Sequence, residues 1–266
     1  LCPGPSPARC AACLPLTGLQ PAPILNRLLH AARARLTQRE IRRADAYVMG
    51  SQAVLDSFLS LGWLRAEDDA QVIPYGVERP GAAPRTGAPR LPLRFGFIGS
   101  LLPHKGAHLA VAAFRGVDPA RATLTVWGDP RISPAYAVEL EAMASPAVRF
   151  AGRFEEERRQ EIFAGLDVLI VPSLGLESFG LVAREALAAG IPVLASRRGA
   201  LAELFDAGPP CGALFDPDDP AELAAWIERL ADDLGIVARW RGTHPAVKGM
   251  EEHAEEIEAL YERLLG

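Results

Sequence analysis

The sequence predicts an α/β protein built on a doubly wound parallel sheet. From residue 93 onward, short β-branched apolar runs alternate with helical stretches, which is the pattern of parallel strands joined by crossover helices. The clearest unit spans 167–196, where a buried-strand run is followed by a Gly-bearing loop, a helix and a second apolar run. A Pro/Gly/Ala-rich stretch at 78–91 separates this part from a shorter α/β segment before it.

Composition limits the class of protein. The chain has 266 residues, 49% of them hydrophobic, and a net charge of −5, which suits one large or two modest domains and argues against general nucleic-acid binding. No run reaches the roughly 18 apolar residues of a membrane-spanning helix, and no signal peptide is present. Leu1 in place of Met predicts a fragment or a processed start. Four cysteines do not make a disulfide scaffold, so we expect a cytoplasmic location.

Three cysteines near the start form the pattern C-x7-C-x2-C. Two thiolates in a C-x-x-C pair can reach one zinc ion, but a fourth ligand is missing from this segment. The pattern therefore leaves two interpretations open, part of a zinc site or idle thiols in a frayed terminus. The residues are Cys2, Cys10 and Cys13.

The next segment, Ile24–Ala44, is predicted to be a basic amphipathic helix. Its apolar stripe is formed by Leu25, Leu28, Leu29, Ala32 and Leu36, and its charge by Arg27, Arg33, Arg35, Arg39, Arg42 and Arg43. Such a helix either rests on anionic lipid as a peripheral membrane contact or packs on the sheet with its arginines solvated. A strand at Ala46–Met49, a helix from a Ser51 cap to Leu61 and a strand at Gln71–Val77 follow.

The later elements are predicted in alternation. Strands are expected at Arg94–Ile98, Ala122–Trp127, Ala147–Phe150, Asp167–Val171, Pro192–Ala195 and Gly212–Phe215. Helices are expected near Gly106–Phe114, Ala135–Ala144, Glu155–Ala164, Ser178–Ala189, Leu201–Phe205, Pro220–Leu230 and Met250–Leu264. Ser178 is the expected cap of its helix, and Gly190 ends that helix.

Two loops at strand ends carry the candidate chemistry. Gly99–Gly106 follows the first strand of the repeating part, and its glycines and Lys105 at a helix start suit a diphosphate. Glu177 lies in the loop after the strand at 167–171, and Glu185 lies within the helix that follows. Because ligands of open α/β sheets bind at the carboxyl ends of the strands, we expect these groups to share a pocket.

These motifs resemble those of the GT4 glycosyltransferases. Glu177, seven intervening residues and Glu185, within ESFGLVAREALAAGIPVLAS, match the E-x7-E signature of that family, and GSLLPHKG is similar to its G-R-L-x-x-x-K-G loop. The resemblance implies the two-domain GT-B fold and sugar transfer from a nucleotide-diphosphate sugar with retention, without a required metal or other cofactor. It also implies an incomplete N-terminal Rossmann-like domain at 1–79, a linker at 80–92, a donor-binding Rossmann-like domain at 93–248 and a closing helix at 249–266.

The resemblance also assigns roles to residues. Lys105 and Glu177 would be the catalytic residues, with Lys105 on the diphosphate and Glu177 on the transferred sugar, and Glu185 would accept hydrogen bonds from the ribose. Ser100 stands where the family has arginine, so charge neutralisation would depend on Lys105 and backbone amides. Arg153 either contacts the donor or is an exposed loop arginine. The full predicted donor-binding set is Gly99, Ser100, Lys105, Arg153, Glu177, Ser178, Phe179, Gly180, Leu181 and Glu185.

Other features are set aside. Asp216-Pro-Asp218 imitates a metal-binding D-x-D, but Asp219 and Pro220 mark a helix start there. Gly96–Gly99 lacks the spacing of a dinucleotide fingerprint, and Cys211 reads as an apolar filler. The expected partners are a nucleotide sugar and a glycan or glycolipid acceptor. Two alternatives stay open: a nucleotide-sugar-binding module without catalysis, and a nucleotide-sugar epimerase of the GT-B architecture.

Overall fold

The structure is a computed structural model that describes residues 6, 8–10, 23–78, 87–205, 211–241, 243 and 247–266. The chain divides into two compact units. One takes Leu1–Met49 and Val54–Val72, and the other takes Gly50–Ala53 and Ile73–Gly266. All of the predicted donor-binding residues therefore lie in the larger unit.

The smaller unit contains a long helix and a two-stranded sheet. Helix α1 spans Pro23–Ile41, strand β1 spans Tyr47–Met49, and strand β2 spans Ala70–Val72. Helix α2, Gln52–Ser60, lies mostly in this unit. The two strands pair in parallel, so the predicted β-α-β order of this segment is confirmed.

The strand predicted over Gln71–Val77 is wrong beyond Val72, where β2 ends. Pro74 has no N–H to donate to a strand ladder. At Gly76 the backbone approaches another segment so closely that a Cβ would lie 2.5 Å from the carbonyl oxygen of Gly249. Val77 therefore forms an isolated parallel bridge with Gly249 rather than extending the strand.

The apolar stripe predicted on α1 is largely exposed. Leu25, Leu28 and Leu36 are exposed by 51%, 61% and 61%, whereas Asn26 and His30 are buried. The helix itself is confirmed. Within the described residues, burial thus follows a different face from the one that the leucines predicted.

The larger unit is built on six parallel strands in the order β5-β4-β3-β6-β7-β8. The strands are β3 Leu93–Ile98, β4 Ala122–Trp127, β5 Val148–Gly152, β6 Val168–Val171, β7 Val193–Ser196 and β8 Gly212–Phe215. The helices are α3 Ala107–Ala113, α4 Pro134–Met143, α5 Arg159–Ala164, α6 Leu181–Ala188, α7 Pro220–Asp232, α8 Leu234–Arg241 and α9 Met250–Leu265. This strand order is that of a doubly wound nucleotide-binding sheet.

Helices cover the two faces of this sheet, as the buried runs predicted. All four residues of β6 are buried, as expected for a central strand between two helical layers. Val168 and Ile170 belong to the core beneath α3, α4, α7 and α8. Leu169 and Val171 belong to the core on the other face, beneath α5 and α6. The predicted doubly wound architecture is confirmed.

The helix predicted over Ser178–Ala189 begins three residues late, at Leu181, so the predicted Ser178 cap is wrong. Gly180 precedes the helix with φ of 74°, a left-handed conformation that glycine adopts without a steric cost. Phe179 is buried just before it. A buried aromatic side chain and a glycine in a left-handed conformation therefore occupy the positions where the prediction placed the first helical turn.

Two other predicted helices differ from the observed ones, and one observed helix was not predicted. The helix predicted from Glu155 begins as a 3-10 turn at Glu156–Arg158 before α5, and Leu201–Phe205 is part of the 3-10 helix Gly199–Phe205. Helix α8 was not predicted at all.

The acidic cluster at 216–219 starts helix α7. The Asp219 carboxylate accepts a hydrogen bond from the Ala221 N–H at 3.1 Å, and Pro220 takes the first helical position. Glu222 accepts from the Asp216 N–H at 2.6 Å, and Asp218 pairs with Arg198. The predicted helix-start role is confirmed.

Candidate functional site

The candidate site lies where the sheet order reverses. Strands β3 and β6 are neighbours, but the chain leaves β3 toward one edge of the sheet and β6 toward the other. The loops after their carboxyl ends meet, because the N–H groups of Leu174 and Gly175 both donate to the carbonyl oxygen of His104, at 2.8 and 3.1 Å. Such a switch point is the usual ligand crevice of an open α/β sheet.

Gly106 allows this close contact between the two loops. Its φ is 72°, and a Cβ added there would lie 1.8 Å from the carbonyl oxygen of Pro172. The glycine that ends the predicted diphosphate loop is therefore required by both its conformation and the approach of the second loop.

The catalytic pair predicted from the sequence is in direct contact. Lys105 Nζ donates to Glu177 Oε1 at 2.7 Å, and Ser173 Oγ donates to the same oxygen at 2.5 Å. Ser173 is 2% exposed, and its carbonyl accepts from the buried Ser196 hydroxyl at 2.7 Å. The Glu177 carboxylate is thereby oriented by one charged donor and one neutral donor.

The backbone around Glu177 is also held in place. The Glu177 carbonyl accepts from the Ala200 N–H at 2.9 Å, so the loop rests on the 3-10 helix after β7. Gly199, with φ of 53°, makes this approach possible, because a Cβ there would lie 2.6 Å from the same carbonyl.

Phe179 anchors the end of this loop. Its ring makes an edge contact with Tyr75 at a centroid separation of 5.0 Å, and the Arg184 guanidinium lies 4.5 Å from its centroid. Arg184 Nε donates to the Phe179 carbonyl at 3.1 Å, and the Ser51 hydroxyl donates to the Ser178 carbonyl at 2.8 Å. These contacts fix the approach to the N-terminus of α6.

The second glutamate of the E-x7-E motif is paired with an arginine. Glu185 forms an ion pair with the Arg159 guanidinium, which also donates to Glu156 at 2.6 Å. Burial raises the pKa of the Glu185 carboxyl above its ordinary value, although the charge of Arg159 opposes the rise. Burial lowers the pKa of the Arg159 guanidinium, but hydrogen bonding and the charges of Glu156 and Glu185 together outweigh it and raise the pKa above its ordinary value.

One cavity of about 300 Å³ brings most of the predicted residues together. Its lining includes Gly99, Ser100, Lys105, Glu177, Gly180, Leu181 and Glu185 from the predicted set, together with Ser173 and Arg159. Of the remaining predicted residues, Phe179 is buried against Tyr75 and Ser178 is exposed at the loop surface.

Arg153 lines a shallower neighbouring cavity of about 410 Å³, which shares Gly99 and Ser100 with the first. Its side chain is 61% exposed and lies 3.7 Å from Glu155. Asp129, at the end of β4, lines this second cavity too, and hydrogen bonds from Arg131 lower the pKa of its carboxyl to about 2.

A larger hollow of about 810 Å³ lies over the face of β4 and β5 and contains Thr123, Thr125 and Arg149. Neither glutamate of the motif lines it. We therefore assign the candidate site to the smaller cavity at the switch point, where the charged groups converge.

Sequence reasoning missed two residues of the cavity. Ser173 directly follows the strand end at Pro172, so its position at the carboxyl edge was the available signal. Arg159 was not singled out, and the sequence alone carried no signal that it pairs with Glu185, 26 positions away.

Across the described ranges, no group of three His, Cys, Asp or Glu side chains could hold a metal ion. Cys2 and Cys13 lie outside the described residues, while Cys10 lies within them as a free thiol. No helix among the described residues is long and apolar enough to cross a membrane.

Together, the reversed strand order and the charged crevice define an α/β domain of the nucleotide-binding, doubly wound class. A family model for group 1 glycosyl transferases matches residues 92–233. The chain belongs to this family.

Relatives agree with that assignment. A D-inositol 3-phosphate glycosyltransferase of Acidothermus cellulolyticus is 34% identical over 241 residues, covering 78% of this chain and 53% of its own length. Among solved structures, a sucrose-phosphate synthase from Thermosynechococcus elongatus has a TM-score of 0.72 at 26% identity, covering 88% of this chain and 62% of its own. Anabaena Alr3699/HepE, solved with UDP and glucose, has a TM-score of 0.69 at 23% identity, with coverages of 86% and 68%. The neighbours confirm the GT-B type of fold, and the chain spans about half the length of the curated relative.

Proposed function

We propose that the larger unit is the donor site of a retaining hexosyltransferase that uses a nucleotide-diphosphate sugar, UDP- or GDP-linked, without a metal ion. The observation that carries the proposal is the convergence of Lys105, Glu177 and Glu185 on one cavity at the switch point of the sheet. Family membership supports it independently.

The proposed roles follow from charge. When the bond between sugar and diphosphate breaks, negative charge grows on the departing diphosphate. Lys105 is free to exchange Glu177 for a phosphate oxygen, and the N–H groups at the start of α6 add positive potential beside it. Groups that bind the diphosphate more tightly as its charge grows lower the barrier directly.

Each glutamate then has a task toward a neutral group. Glu177, released by Lys105 and still held by Ser173, accepts hydroxyl donors of the transferred sugar. Glu185 accepts the two hydroxyls of the ribose, since one carboxylate has room for two donors. Backbone amides at Ser178, Phe179 and Gly180 complete the proposed donor contacts, and Arg153 is the proposed contact at the rim.

UDP is the first nucleotide to test, because the similarly folded Anabaena HepE was solved with UDP and glucose. The proposed acceptor is a glycan or glycolipid. The proposed domain division is 1–79 for the incomplete acceptor-side domain, 80–92 for the linker, 93–248 for the donor domain and 249–266 for the closing helix. We also propose that this chain binds donor without transferring the sugar, and robust transfer by the chain would reject this part of the proposal.

We also propose a cytoplasmic protein with a peripheral membrane contact through helix 24–44. Leu25, Leu28 and Leu36 are exposed on helix α1, which also carries four arginines. Sedimentation with vesicles containing phosphatidylserine, compared with neutral vesicles, tests this contact. Equal recovery with both would reject an electrostatic membrane contact.

Calorimetric titration with UDP, GDP and ADP and their sugars tests the donor site. The proposal expects one nucleotide to bind selectively and Glu185→Ala to weaken it, while Glu141→Ala, an exposed helical glutamate on α4, leaves binding unchanged. Equal loss in both variants, or no binding by the folded chain, would reject the donor site. Incubation of a labelled nucleotide sugar without acceptor separates the alternatives, because an epimerase changes the sugar and a binding module leaves it intact.

A further inference from the structure

Arg159 occupies a position that none of the predicted roles uses. It is the first residue of α5, yet its side chain lines the 300 Å³ cavity together with Lys105, Glu177 and Glu185. It also lines the neighbouring cavity that contains Gly99 and Ser100. The guanidinium thus lies at the boundary between the two hollows at the sheet edge.

The charges of the cavity are balanced in pairs. Lys105 contacts Glu177, and Arg159 contacts Glu185. All four side chains are shielded, with 33%, 17%, 27% and 16% of the side chain exposed, respectively. A diphosphate brings additional negative charge into this space, and Lys105 is the charged side chain of this cavity with a proposed role in compensating it, while it must also release Glu177.

We propose that Arg159 is a donor-binding residue that exchanges Glu185 for the diphosphate when a nucleotide sugar binds. This inference rests on the proposed function and deepens it. A guanidinium presents a planar fork of donors that matches phosphate oxygens, and it stays charged throughout the exchange. Its departure frees both oxygens of Glu185 for the ribose hydroxyls, so one movement serves two contacts.

The alternative cation at this edge is less well placed. Arg153 is 61% exposed and lines the shallower cavity and the larger hollow, but not the 300 Å³ cavity that both glutamates line. Arg159 is more buried and is in direct contact with a residue of the E-x7-E motif. Its second partner, Glu156, is 69% exposed, so that contact leaves the guanidinium free to turn inward.

The test separates phosphate recognition from nucleoside recognition. Calorimetry on the wild-type chain first establishes whether UDP binds, with GDP and ADP as the other probes. The ratio of the dissociation constants of uridine and UDP, or of the matching guanosine or adenosine pair, then measures what the phosphates contribute. Arg159→Gln is expected to reduce this ratio by about 10- to 100-fold, the value of a charge-assisted hydrogen bond, and to weaken nucleoside binding far less.

Two variants serve as comparisons. Arg159→Lys keeps the charge and should restore part of the ratio. If Arg159→Gln does not fold, the ratio in Arg159→Lys still tests the role of Arg159. Arg158→Gln changes the adjacent arginine, which is 62% exposed and paired with Glu161, and it should leave the ratio unchanged.

Each result decides the question. An unchanged ratio in Arg159→Gln, or an equal weakening of nucleoside and diphosphate, overturns the inference, because Arg159 would then act only on Glu185. A reduced ratio that Arg159→Lys partly restores supports it. Absence of all nucleotide binding by the folded wild-type chain would instead overturn the proposed function itself.

Discussion

Replacing Gly106 with alanine tests how the two loops of the site depend on each other. The new Cβ would lie 1.8 Å from the carbonyl oxygen of Pro172, whereas real Cβ contacts essentially never fall below 3.0 Å. The loops must therefore separate by at least 1.2 Å. The clashing atom belongs to the backbone, so no rotation of a side chain relieves the contact.

The cost has two parts. A left-handed conformation costs a residue with a Cβ about 1–2 kcal/mol. Separation of the loops also stretches the two hydrogen bonds from Leu174 and Gly175 to the His104 carbonyl, each of which contributes about 0.5–1.5 kcal/mol. We expect Gly106→Ala to lower the free energy of unfolding by about 2–5 kcal/mol.

Gly116→Ala is the matched control. Gly116 has φ of 83°, but a Cβ there meets no atom within 4 Å. It should therefore lose only the conformational part, about 1–2 kcal/mol. The difference between the two variants isolates the contact between the loops.

Urea unfolding measures the stability of both variants, and calorimetry measures nucleotide affinity under conditions where both remain folded. Gly106→Ala should weaken binding because Lys105 precedes it directly and moves with the loop. Equal losses of stability in the two variants, or unaltered nucleotide binding in Gly106→Ala, would refute the reasoning.

Three further predictions concern single residues. Asp167→Ala should lower the free energy of unfolding by about 3–5 kcal/mol in urea denaturation, because it leaves the buried Arg241 guanidinium without its ion-pair partner, a carboxylate that is 3% exposed. A loss below about 1 kcal/mol would contradict this argument. Burial raises the pKa of Glu185, so its carboxylate should become protonated at a pH above the ordinary carboxyl value of 4.5, and nucleotide binding should weaken there. Glu185→Gln should remove this part of the pH dependence of binding. An identical pH profile in the variant would contradict the prediction. Phe179→Leu should lower the free energy of unfolding by about 1 kcal/mol more than the loss of buried apolar area accounts for, because the ring contacts with Tyr75 and Arg184 are lost; thermal unfolding measures this. The variant should also bind nucleotide more weakly in calorimetry. Full affinity would show that Phe179 does not position the loop.

The sequence predicts the larger unit well because its signals are local and repeated. Buried runs such as Val168–Val171 and helix-start residues such as Asp219 each act within a few positions, and alternation of strand and helix leaves few topologies for a parallel sheet. The predicted gathering of Lys105, Glu177 and Glu185 follows from the same rule, since Lys105 and Glu177 lie in loops at carboxyl edges and Glu185 lies in the helix that follows one of these loops.

What sequence reasoning missed depends on contacts between distant segments. The start of α6 is set by Phe179, which packs against Tyr75 more than 100 positions earlier, and local propensity at Ser178 does not report this. The pairing of Arg159 with Glu185 similarly arises because two helices on one sheet face bring the start of α5 close to the middle of α6. Tertiary packing, which period and composition do not encode, decides both features.

The pairing of charges in the crevice bears on the kind of ligand that the proposed function requires. A carboxylate that is only 16% or 17% exposed, as Glu185 and Glu177 are, is costly to bury unless a cation or hydrogen-bond donors compensate it. A neutral sugar alone can offer hydroxyls to these oxygens, but it cannot compensate the two cations that would be released. A ligand that carries both hydroxyls and a diphosphate replaces every partner at once, so the cations exchange carboxylate for phosphate and the carboxylates exchange cation for hydroxyl. If the proposed function and the proposed role of Arg159 hold, we expect the whole nucleotide sugar to bind more tightly than either of its parts.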